Sequence, residues 1–176
     1  MMRRGFGPED EYGVPTEIFG VHDPDFFPLL GRVIALSSVN ERNMRELARK
    51  LVIPERCNIA TTRTSEVLKE AKKGLGAISN EADRKLVSEY LNNVESCLSK
   101  RDAYAHSLWP AISLQHGTRV VGWRIKPGTS DLHLGDDFAE LRQDVLRFSE
   151  LVMRWNLKIH LVTDQLRWLQ PIGETS

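Results

Sequence analysis

One stretch of the chain gathers residue types that could cut a phosphodiester: Lys100-Arg101-Asp102-Ala103-Tyr104-Ala105-His106-Ser107-Leu108-Trp109. Arginine can hold an anion but keeps its proton near neutral pH. Histidine titrates in that range and can take or give a proton. On a rigid element the two would supply charge stabilisation and proton transfer. Asp102 can orient either group, and Tyr104 adds a hydroxyl. The bare spacing is weak, because an Arg-to-His offset of this kind recurs by chance about half the time in such a composition. Arg154 and His160 form a rival pair in the same chain. Arg101 is set apart by the carboxylate that follows it, where Arg154 is followed by Trp155.

The element that would carry these groups is an amphipathic helix. Leu86, Tyr90, Val94 and Cys97 recur at three- and four-residue steps, and the next steps land on Arg101 and Ala105. Val87, Leu91, Val94 and Leu98 run beside them, which makes one helical face. Arg84, Lys85, Glu89, Asn92, Glu95 and Lys100 occupy the other. A guanidinium on an inward row is costly to bury unless it is paired. Arg101 is therefore expected at an edge, a cleft or a subunit interface. The plainer reading of the same residues is a solvated arginine at a helix end with a satisfied histidine nearby.

A helix ending in Arg101, Asp102, three further residues and His106, with Trp109 soon after, resembles the HEPN superfamily. Its motif is an arginine, a short spacer and a histidine, with a polar residue often after the arginine. Leu29-Leu30-Gly31-Arg32-Val33-Ile34-Ala35-Leu36 is similar to the first helix of many members. The resemblance spans roughly residues 25 to 155, and only the short motif is specific. It implies a small all-helical domain and a metal-independent endoribonuclease of toxin–antitoxin, abortive-infection or CRISPR systems. It also implies a homodimer with two motifs facing each other across a cleft, and an antitoxin or other protein partner. Arg101, Asp102, Tyr104 and His106 would be the catalytic set, with no metal and no cofactor. Other members are non-catalytic modules that bind protein or RNA, which is the alternative reading.

Composition sets bounds. At 176 residues the chain is expected to be one domain, long enough to bury a core. Hydrophobic residues make up 41% and charged ones 27%, as in ordinary soluble proteins. A formal net charge of zero argues against a broad electrostatic grip on nucleic acid, and leaves room for a local basic cleft. No apolar run is long enough to span a bilayer. The first ten residues lack the apolar centre of a signal peptide, so a cytoplasmic protein is expected. Cys57 and Cys97 lack the spacing of a zinc site and read most simply as buried thiols, although their number would also allow a disulfide. His22, His116 and His133 fall in predicted loops, too scattered for a metal site. Trp123 and Trp155 could stack bases but are expected in the core.

Along the chain, residues 1–24 are rich in Gly, Pro and acid and read as a loose arm. A helix is predicted over about 26–51, with Asp23 or Asp25 as its cap, Pro28 in its first turn and Pro54 after its end. A short helix follows, beginning within Thr61–Glu66 and ended by Gly74 and Gly76. Ser79 or Asn80 opens the motif helix, with Glu81 and Asp83 at its positive end. Thr118–Ile125 is β-branched and strand-like, and Ile112–His116 could pair with it across Gly117. Pro127–Asp131 reads as a turn and loop. Asp136-Asp137 opens the last long helix, with a possible break near Asn156. The expected architecture is an all-α, up-and-down HEPN-like bundle over 25–170, with a small β-hairpin before the last long helix.

Overall fold

A computed structural model describes residues 24–52, 58–106, 111–114, 117–125, 132–162 and 164, with the side chains of 107–139 and 156 left undescribed. Its helices are α1 (Phe26–Leu51), α2 (Thr64–Lys73), α3 (Glu81–Ala105) and α4 (Phe138–Arg154). A 3-10 turn, Gly74–Ala77, follows α2, and a π turn, Trp155–Ile159, continues α4. Between α3 and α4 the backbone runs as β1 (Ala111–Leu114), β2 (Gly117–Ile125) and β3 (Leu132–Asp137). Both pairings are antiparallel, in the order β1-β2-β3, with Ile112 opposite Arg119 and Arg124 opposite His133. The described core is all-α, since its buried side chains come from the helices and their short connections. Among the described residues, no helix is long and apolar enough to cross a membrane.

The chain divides into two compact units. The first is Met1–Ile34 with Arg101–Val145; the second is Ala35–Lys100 with Leu146–Ser176. In the first, Phe26, Val33, Tyr104 and Leu141 are sealed from water, and Phe27 meets the Phe26 ring edge-on at 5.1 Å. Arg142 reaches Asp25 at 2.9 Å, but both side chains are mostly exposed and such a pair contributes little.

The second unit is built on the inward rows of its helices. Met44 and Leu47 of α1, Val67 and Leu68 of α2, and Val87, Leu91 and Val94 of α3 are buried, as are Phe148, Leu151, Trp155 and Ile159. Asn40, fully buried, donates from Nδ2 to the Phe148 carbonyl at 3.0 Å. Arg45 ties down the connection into α2: it donates to the carbonyls of Ile59 at 2.6 Å and Thr62 at 3.2 Å, and to Thr64 Oγ1 at 2.7 Å. Asn80 caps α3, its Oδ1 accepting from the amides of Ala82 at 2.9 Å and Asp83 at 3.2 Å. Those bonds satisfy two donors that a helix start otherwise leaves open.

The predicted bounds of α1 agree with the structure. The end of α2 at Gly74 also agrees, although Gly74 is there for closeness: a Cβ on it would strike the Leu51 carbonyl oxygen. One stretch differs from the sequence reading. Leu132–Asp137 is a strand rather than a loop, and α4 starts at Phe138. Asp136-Asp137 stands directly before α4, as expected of residues that open the helix, and also ends β3. The irregularity anticipated near Asn156 falls within the π turn. The arm over 1–23, Pro54, Cys57, the turn at Gln115-His116 and the side chain of Trp123 lie outside the described residues, as do His22 and the side chain of His133.

Candidate functional site

The motif sits where α3 runs out, within the first unit. Helix α3 holds its inward row up to this point, with Tyr90, Leu91, Val94, Cys97 and Leu98 all buried. Arg101 and Tyr104 continue that row at three-residue steps. Tyr104 is 1% exposed, whereas Ala105, the other residue on the predicted stripe, is exposed.

Arg101 is a paired cation at the edge of the core. Its side chain is 25% exposed and its Nε donates to Asp102 Oδ1 at 2.7 Å. Sequence neighbours on a helix do not face each other. The contact therefore requires the long arginine stem to bend sideways toward the more exposed carboxylate. This is the pairing that an inward-row guanidinium needs.

His106 is exposed and closes the helix, its backbone amide donating to the Asp102 carbonyl at 3.1 Å. An offset of four residues puts Asp102 and His106 on one face. The offset of five between Arg101 and His106 turns them about 140° apart around the axis. Within one chain, then, Asp102 is the residue next to both: bonded to Arg101 and on the face of His106.

Tyr104 faces away from solvent. Its hydroxyl donates to Asp144 Oδ2 at 2.7 Å, and Asp144, on α4, is itself 7% exposed. Asp144 is a polar residue that sequence reasoning passed over. The signal was there, because Asp144 falls between Leu141 and Phe148 on the buried side of α4. A carboxylate at such a position needs a donor.

The rival pair has other partners. Arg154 bridges to Glu150 at 3.1 Å. His160 Nε2 lies 3.1 Å from Asp164 Oδ2, and its Nδ1 lies 3.5 Å from Lys50 Nζ. Lys50, whose side chain is 7% exposed, also bonds Asp164. Both ring nitrogens of His160 are therefore engaged in a Lys50–Asp164–His160 cluster, and the ring lies 5.8 Å from that of Trp155. Trp155 is in the core, 3% exposed, as expected.

Among the described residues no cluster of His, Cys, Asp and Glu could hold a metal ion. Cys97 is buried, and its Sγ accepts from Asn40 Nδ2 at 3.7 Å. No family model, curated protein or solved structure matches the chain.

Proposed function

We propose that the protein is a metal-independent endoribonuclease centred on Arg101 and His106, acting as a HEPN-like homodimer in which two motifs share one cleft. The observation that carries the reading is the Arg101–Asp102 pair at the edge of the core, one turn from an exposed histidine. His106 serves as the general base or acid, acting on the ribose 2′-hydroxyl or the leaving oxygen. Arg101 stabilises the charge that builds on the phosphoryl oxygens, its guanidinium oriented by Asp102 at Nε. The 2′-hydroxyl is the nucleophile, which restricts the substrate to RNA. Cleavage then leaves a 2′,3′-cyclic phosphate and a 5′-hydroxyl. Tyr104 supports the motif from beneath through Asp144. The all-helical core fits this reading, with the strands before α4 as a hairpin appended to the bundle.

The dimer matters because of the helix geometry. Side chains about 140° apart leave α3 in different directions. Two facing copies would bring Arg101 and His106 groups to one phosphate. A toxin or defence role, with an antitoxin as partner, follows from the same resemblance.

The alternative is a module that binds protein or RNA without cutting. The divergence of Arg101 and His106 within one chain favours it if no dimer forms. The deciding experiment is cleavage of a labelled single-stranded RNA in EDTA by wild type and by His106→Ala. Cutting by wild type alone supports the nuclease. A magnesium requirement, or equal cutting of DNA, would falsify the mechanism. No cutting by folded, dimeric wild type assigns the protein to the binding module.

A further inference from the structure

Helix α4 and its π turn are apolar on two opposite sides within the second unit. Phe148, Leu151, Trp155 and Ile159 face the core and are at most 4% exposed. Leu146, Met153, Leu157 and Leu161 are 69%, 53%, 63% and 61% exposed. At about 100° per residue, these four fall within about 80° of arc, roughly opposite the core row. In a regular α-helix each four-residue step would drift by about 40°. The wider π turn over Trp155–Ile159 lessens that drift, so Leu157 and Leu161 stay in line with Met153. The row is about 22 Å long. Scattered exposed apolar residues are normal, but a continuous row on a helix that already buries its other side marks a surface that is covered by something.

The charges beside the row indicate what covers it. Arg147, Arg154 and Lys158, all exposed, run along one edge. Glu150 lies beside that edge, between Leu157 and Leu161 around the axis, and Arg154 holds it at 3.1 Å. The other edge carries Ser149 and His160. If two copies paired antiparallel through this row, the basic edge would lie beside its own duplicate. If they paired parallel, it would face Ser149 and His160, and the carboxylate on that edge, Asp164, is already held by Lys50 and His160. Neither arrangement brings a free carboxylate to Arg147 and Lys158.

We infer that this face binds an amphipathic helix of another protein, with Leu- or Met-type residues on its apolar side and a row of Asp or Glu along one edge. The apolar row supplies burial, and the basic edge sets the partner's orientation and excludes basic helices. This surface belongs to the second unit and does not depend on the ribonuclease reading.

The test uses the full chain and two fluorescent helical peptides of about 20 residues, long enough to cover the row. Both carry the same leucine face; one has a Glu edge and the other a Lys edge. The acidic peptide should bind at least about tenfold more tightly by anisotropy. Combining Met153→Glu with Leu157→Glu should abolish binding. Combining Arg147→Glu with Lys158→Glu should invert the preference toward the Lys peptide. That second variant alters exposed side chains and leaves the apolar row in place. Failure of both peptides to bind wild type, equal binding of the two, or a wild-type dimer that Leu157→Glu dissolves in light scattering would overturn the assignment.

Discussion

The Tyr104 hydroxyl donates to Asp144 Oδ2 at 2.7 Å, with both residues closed to water. This bond joins the last turn of α3 to the second turn of α4 inside one unit. It fixes the helix end on which Arg101, Asp102 and His106 stand. Tyr104→Phe leaves a buried carboxylate without this donor, at a cost of about 1–3 kcal/mol. Urea denaturation should show that loss. In the cleavage assay the same variant should be weakened rather than dead, as befits a positioning residue.

Arg101 and His106 separate by their conservative replacements. His106→Ala removes proton transfer and should lower cleavage by about 10²–10⁴-fold. Arg101→Lys keeps the charge but loses the planar fork and the Nε contact to Asp102, so it should still fall well below wild type. Equal activity of Arg101→Lys and wild type in single-turnover cleavage would show that charge alone suffices.

Tyr90 offers a pH test. Its hydroxyl is buried and has no hydrogen-bond partner among the described residues. Burial, reinforced by Cys97 and Glu46, raises the phenol well above its ordinary 10.0. A raised value means that the folded state holds the proton after the unfolded chain has lost it. The contribution is fully present below pH 10 and falls by about 1.4 kcal/mol per pH unit above it. Tyr90→Phe should remove this part of the alkaline destabilisation. Near neutral pH it should be neutral, or stabilising by about 1 kcal/mol, because no bond is lost. Thermal melts of the two proteins between neutral pH and pH 11 would read both effects.

Gly74 is constrained by proximity. Its φ of −70° suits any residue, yet a Cβ there would collide with the Leu51 carbonyl. Gly74→Ala should therefore cost about 1–3 kcal/mol through backbone displacement. Gly76, with nothing within 4 Å of an added Cβ, is the control, and Gly76→Ala should be close to neutral in the same denaturation series.

The helices were legible because their signals are local. Apolar rows at three- and four-residue steps, Asn80 before Glu81 and Asp83, and Gly74 after Lys72-Lys73 mark where helices run and stop. The motif was legible as residue types in order, and the pairing demanded by an inward-row arginine pointed toward Asp102. What the sequence determined by itself was this periodicity and the identity of the candidate groups. Tertiary structure decided the rest, because those outcomes depend on neighbours distant in the chain. It chose Tyr104 over Ala105 as the buried end of the row by setting Asp144 opposite it, 40 positions away. It drew Leu132–Asp137, up to the start of α4, into a strand against β2. It tied His160 to Lys50, 110 positions away, and left an apolar row of α4 facing outward. Burial and long-range pairing arise only when separated segments meet, so no local pattern could carry them.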